Sequence, residues 1–113
     1  MRRDSRKYLF DIRQAADELL SFTTGRTREQ YQSDPMLQAA VERKFEIIGE
    51  AVSQLAKVDP ALAERIPDHR RLIAFRNVLI HGYADVDDEL VWDLVQTRLP
   101  ELTQVIGRLV AAE

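Results

Sequence analysis

The chain contains no cysteine, which excludes disulfides and thiolate metal sites and makes a cytoplasmic address natural. No apolar run approaches the roughly 18–20 residues of a membrane span. The Met1-Arg2-Arg3 start lacks the apolar stretch of a signal peptide. Glycine and proline are scarce, with 4 of each in 113 residues. Strand-type alternation is nearly absent, and there are no internal repeats, low-complexity tracts or long linkers. Basic excess is missing too. With 16 Lys and Arg against 19 Asp and Glu, the net charge is −3 and the pI about 5.4. That argues against broad non-specific binding to nucleic acid but leaves room for a local basic site. The expectation is a single all-α domain over residues 1–113, large enough to bury an ordinary core.

Helical signals follow one another along the chain. Asp4 and Ser5 are placed to cap a first helix that turns Tyr8, Leu9, Ile12, Ala16, Leu19 and Leu20 inward and ends before Gly25. Thr27 and Gln30 have the spacing of a capping box for a short helix to Ser33. Asp34-Pro35 is an N-cap followed by proline at the first helical position. The helix it opens is expected to reach about Lys57, with Leu37, Val41, Phe45, Ile48, Val52 and Leu55 as its inward stripe. Gly49 within it costs about 1 kcal/mol relative to alanine, which close approach of another helix would explain. Asp59-Pro60 opens a further short piece, closed by Pro67. The acidic run from Asp85 to Glu89 lacks the glycine and downstream glutamate of an EF-hand loop, so it reads as capping for a last helix. Pro100 is expected to kink that helix, and Trp92 to be core or interface.

Chemistry concentrates in Arg76-Asn77-Val78-Leu79-Ile80-His81-Gly82-Tyr83, which holds one of 2 histidines. Pro67 and an N-cap at Asp68 start the helix, and Gly82 can stop it as a left-handed residue. His81 is then the last helical residue, where unpaired carbonyls and the negative dipole end favour imidazolium. The plain reading is a cap. The functional reading is a general acid/base near neutral pH, with Arg76 binding an anion such as a phosphodiester. Asn77 lies one turn before His81 on the same face. Arg76 and His81 are separated by roughly 140° around an ideal helix. A shared site therefore needs the arginine to bend round, or a second subunit. Glu46 and Glu50 lie on one face of the long helix and read as solvated, though Glu50 can orient Arg76 or His81 by an ion pair. Arg65, Arg70, Arg71 and Arg76 form a basic cluster around His69. Arg71 is a further supporting candidate.

The octet resembles the Arg-x4-His-x-Tyr motif of the HepT-like toxins, a branch of the HEPN superfamily. Glu46-Ile47-Ile48-Gly49-Glu50-Ala51 resembles the family's long second main helix, and Tyr83-Ala84-Asp85-Val86-Asp87 its exit from the motif. The likeness runs from about Tyr8 to Leu109. Family members often carry a tryptophan near the position of His69, and this chain departs there. The resemblance implies an up-and-down bundle of four to five main helices that forms a two-fold homodimer, with motif helices meeting at the interface. It also implies a metal-independent endoribonuclease with no cofactor, the toxin of a toxin–antitoxin pair. The partner would be a minimal nucleotidyltransferase that silences it by transferring AMP to Tyr83. In the implied reaction the RNA 2′-hydroxyl attacks its own phosphodiester, with His81 moving the proton, Arg76 stabilising phosphoryl charge and Asn77 positioning one of them. The alternative is a non-catalytic HEPN-type nucleotide-binding or protein-interaction module that retains the motif as a contact.

Overall fold

The computed structural model describes residues 2–82 and 86–112, and most of its helix starts follow local side-chain chemistry. The first helix, α1, spans Arg3–Thr23. Thr27 and Gln30 then form the expected reciprocal box, at 3.1 and 2.9 Å, and open α2 (Arg28–Ser33). Asp34 accepts from the Leu37 N–H and Pro35 begins α3 (Pro35–Val58). Asp59 does the same for Leu62 ahead of α4 (Pro60–Ala63). Helix α5 spans His69–His81. Asp87 accepts from the Glu89 and Leu90 N–H groups and opens α6 (Asp88–Thr97), which is followed by α7 (Leu99–Ala111). Each such cap satisfies a donor that the helix itself leaves orphaned and contributes about 1 kcal/mol. Among the described residues there is no strand, and no helix is long and apolar enough to cross a membrane.

The architecture is an all-α bundle arranged around α3. Its stripe of Leu37, Val41, Phe45, Ile48, Val52 and Leu55 is wholly buried, as the spacing predicts. Helix α1 runs antiparallel along one flank, because Arg2 Nη1 donates to the Val58 carbonyl at 3.0 Å while Lys44 pairs with Glu18 at 3.1 Å near the other end. Helix α5 lies on α3's other flank, and α7 covers α1. Tyr31 of α2 stacks on Trp92 of α6, with centroids 5.3 Å apart. Trp92 is thus a core residue.

Four local expectations are corrected. Helix α1 begins at Arg3, so Asp4 lies in its first turn and Ser5 is buried. The anchored Arg2 takes the capping position, with no side-chain cap bond. Leu20 is largely exposed, since α1 is covered only along the stripe that faces α3 and α7. The last helix is divided, not merely kinked. Pro100 has no N–H to offer Gln96, so α6 stops at Thr97 and α7 restarts at Leu99 with proline in its first turn. Gly82 ends α5 with φ −125°, and its N–H closes the final turn on the Val78 carbonyl at 2.7 Å. One ordinary hydrogen bond suffices there, and no left-handed residue is needed.

Gly49 is where the two central helices touch. A Cβ at this position would stand 2.6 Å from the Leu72 carbonyl oxygen and run into Arg76 Cβ. The backbone oxygen cannot move aside as a flexible side chain would, so the glycine is dictated by packing. Nearby, Phe45 meets Phe75 edge-on at 5.3 Å.

Two stability measurements follow from this packing. Gly49→Ala should lose about 2 kcal/mol in urea denaturation, because overpacking outweighs the gain in helix propensity. The Tyr31 hydroxyl is buried and has no hydrogen-bond partner among the described residues. Burial, followed by the charges of Glu42 and Asp88, pushes its pKa well above the ordinary value of 10. Tyr31→Phe keeps the stack and removes the unpaired hydroxyl, so it should gain about 1 kcal/mol in the same assay.

Candidate active site

Helix α5 divides its residues between three surroundings. Leu79 is buried and Leu72, Ile73 and Phe75 are partly buried against the core. Val78, Ile80 and His81 are exposed. Arg76 lies between these groups, its stem against Gly49 and its head reaching α3.

The guanidinium is held at two points. Nη2 meets Glu50 Oε2 at 2.6 Å, and Nη1 donates to Asn77 Oδ1 at 2.9 Å. The Glu50 ion pair is therefore present, and its partner is Arg76 and not His81. Glu50 has its second oxygen occupied as well, since Gln54 Nε2 donates to Oε1 at 3.0 Å. The side chains of Arg76 and Glu50 retain 29% and 45% exposure. A pair this wet is worth about 0–1 kcal/mol to folding. Its larger effect is orientation. An arginine carries five N–H donors, so several remain for an incoming anion after these two contacts. Glu46, one turn before Glu50, is taken by Arg43 at 3.2 Å.

His81 stands at the C-terminal end of α5 with an exposed imidazole. Among the described residues nothing hydrogen-bonds it. Arg76, Asn77 and Glu50 are thus brought together, while His81 lies apart from their hydrogen-bonded set. Tyr83, with Ala84 and Asp85, falls outside the described residues.

The basic cluster is sorted differently from the simple stripe that its spacing suggests. Asp68 adopts φ +59° and makes no capping bond. Its carboxylate instead takes a two-pronged bond from Arg98, at 2.7 and 2.6 Å, with Arg71 3.9 Å away. The Arg98 hydrogen bonds hold this carboxyl below the usual range, against the opposing effect of burial. Arg71 therefore belongs to a second group, separate from Arg76 and Glu50. His69 is the half-buried first residue of α5, and Arg70 is exposed.

This second group marks one end of an apolar groove of about 240 Å³ between α5 and the α6–α7 segment. Phe45, Leu72, Phe75, Val78, Leu90 and Leu94 line it. Val78 and Leu90 keep 46% and 45% exposure there. Helix α5 is packed chiefly on α3, which leaves this side of the bundle open.

Sequence reasoning missed Gln54 and the Asp68–Arg98 pair. The first had a signal, because residue 54 lies four after Glu50 on one helix. The second had none, because its partners are 30 residues apart.

Comparison with known proteins places these features in a family. The model of the family described as ribonuclease HepT-like matches residues 12–109. A protein of Thermococcus cleftensis, named as a probable ribonuclease HepT, is 35% identical over 102 residues, covering 90% of this chain and 92% of the relative. A candidate RNase of Caldanaerobacter subterraneus subsp. tengcongensis is 32% identical over 108 residues, 96% of each chain. Another, from Methanocaldococcus jannaschii, is 30% identical over 109 residues, 96% of this chain and 89% of the relative. No solved structure matches significantly. The all-α layout and the extent of these likenesses agree, and the chain belongs to the HepT-like family of the HEPN superfamily.

Proposed function

We propose that this protein is a metal-independent endoribonuclease that cleaves RNA in the cytoplasm through attack of a 2′-hydroxyl on the adjacent phosphodiester. The observation that carries the reading is the braced guanidinium of Arg76, held by Glu50 at 2.6 Å and by Asn77 at 2.9 Å. A cation fixed in this way stabilises charge on phosphoryl oxygens without reorganising during the reaction. His81 takes the proton from the 2′-hydroxyl, or returns one to the leaving 5′-oxygen. Its exposure at the end of the helix leaves the imidazole accessible to a substrate, as proton transfer requires. The products are a 2′,3′-cyclic phosphate and a 5′-hydroxyl end. The names of the relatives from Thermococcus cleftensis and Caldanaerobacter, a ribonuclease and an RNase, support the same activity.

The working unit in this proposal is a two-fold homodimer. Arg76 turns toward α3 and His81 points outward from the end of α5, so one chain does not assemble both into one hydrogen-bonded set. A second copy seated on the open side of the bundle covers the exposed Val78 and Leu90 and supplies the complementary residue. In the cell the protein acts as the toxin of a toxin–antitoxin pair. Its partner, a minimal nucleotidyltransferase, silences it by joining AMP to Tyr83. That adduct places a bulky anion one residue past Gly82, where it blocks RNA both sterically and by like charge.

Purified protein freed of metal should cleave RNA in EDTA and leave cyclic-phosphate ends, and His81→Ala should leave none. Arg76→Lys should lose about a hundredfold in kcat, because an ammonium cannot give planar two-pronged binding. Absence of cleavage by protein whose mass confirms an unmodified Tyr83 would favour a non-catalytic binding module. Leu90→Glu, far in sequence from the motif, should yield a monomer in sedimentation and lose cleavage with it. A dimer unaffected by this change would reject the groove as its interface.

A further inference from the structure

Gln54 has no role in the chemistry described so far, yet it ends a continuous line of side-chain hydrogen bonds. Gln54 Nε2 donates to Glu50 Oε1 at 3.0 Å, Glu50 Oε2 receives Arg76 Nη2 at 2.6 Å, and Arg76 Nη1 donates to Asn77 Oδ1 at 2.9 Å. Two residues of α3 and two of α5 are joined in this way. We propose that Gln54 is a positioning residue for Arg76, acting through Glu50, an inference that rests on the phosphodiester role assigned to Arg76 above.

The physical case begins with the freedom of Glu50. Its side chain is 45% exposed and carries several rotatable bonds, so one contact to Arg76 would let the carboxylate swing and take the guanidinium with it. A second bond, on the other oxygen, fixes the plane of the carboxylate. The donor lies one helical turn further along α3, where it reaches Glu50 without any strain in the backbone.

The chemistry of residue 54 matters as much as its place. A glutamine donates without adding charge, so Arg76 keeps Glu50 as its counter-ion. A lysine there would compete with Arg76 for the carboxylate, and a glutamate would repel Glu50 one turn away. Gln54 is half-buried and lines the cleft of about 340 Å³ between α1 and α3, together with Glu50, Glu46 and Tyr8. Its amide is thus anchored on one side and open on the other. The stem of Arg76 is already wedged against Gly49. Gln54 and Glu50 complete the fixation at the head.

The test compares Gln54→Ala, Gln54→Glu and Glu50→Ala with wild type. Gln54→Ala should lower kcat about tenfold while its urea midpoint stays unchanged, since a misplaced cation costs transition-state stabilisation. KM should remain within about twofold, the pattern of an interaction made mainly in the transition state. Gln54→Glu should fall lower still. In the Glu50→Ala background, Gln54→Ala should change nothing further, because the route to Arg76 is already cut. An equal loss in that background, or a loss of activity that follows a loss of stability, would overturn the proposal. A second readout needs no cleavage: the side-chain N–H resonances of Arg76 should be resolved in wild type and averaged by rotation in Gln54→Ala. Resonances unchanged by the substitution would refute positioning, whatever the RNA assay gives. Wild-type protein without cleavage, but with these resonances altered as expected, would refute the reading of the site and leave the role of Gln54 intact.

Discussion

Everything in the candidate site depends on how closely α5 can approach α3, and Gly49 sets that distance. With any side chain at residue 49, the Leu72 carbonyl and the Arg76 stem would have to retreat. A retreat of even one ångström would be felt at the far end of Arg76, where the contact to Glu50 is 2.6 Å. A glycine that costs about 1 kcal/mol in helix propensity is retained because packing at this contact is worth more. The stripe on either side of it, from Leu37 to Leu55, holds α3 in place and makes it the reference against which the other helices are positioned.

An acidic protein that handles an anion must confine its positive potential to one place. Here the net charge is −3, and several cations are already paired: Arg43 with Glu46, Lys44 with Glu18, Arg98 with Asp68. Arg76 is paired too, but by a partly exposed carboxylate and a neutral amide oxygen, which leave several of its donors unused. In the proposed role, such an arrangement would attract little RNA at long range and recognise a phosphate only at short range. On the proposed reading, selectivity then comes from geometry at the site and not from electrostatic capture.

Much of the fold was legible because it is written in short-range chemistry. Thr27 with Gln30, Asp34 with Pro35, Asp59 with Pro60 and the spacing along α3 each concern neighbours within one turn. The expectation at Asp68 failed through competition between a local and a distant partner. Asp68 has the sequence context of a cap, but a guanidinium 30 residues away offers its carboxylate a two-pronged, charge-assisted bond, which outweighs one backbone N–H. Nothing in the order of residues announces that competitor. Pro100 announces a disruption in the sequence, and the full division at Arg98 follows from the hydrogen bond it cannot make. In the site, Glu50 and Arg76 were legible as a pair because a helix bundle brings the faces of successive long helices together. Gln54 was overlooked because a neutral amide on a helix surface carries no signal until its acceptor is known to be engaged elsewhere.

The separation of Arg76 from His81 follows from the helix itself. Five residues along α5 place them roughly 140° apart, and the structure has Arg76 committed to α3 and His81 exposed at the helix end. Bending the arginine round would break its contacts with Glu50 and Asn77 together, and with them the preorganisation on which its proposed role depends. Turning the helix to expose Arg76 would withdraw Leu79 from the core, where it is 4% exposed. Neither change is open to a single chain at low cost. The same rotation that commits Arg76 to α3 places Val78 on the open groove beside Leu90. One helical register therefore fixes the cation, presents the imidazole and leaves an apolar side uncovered, and the second copy of the proposed two-fold dimer would answer the last two at once.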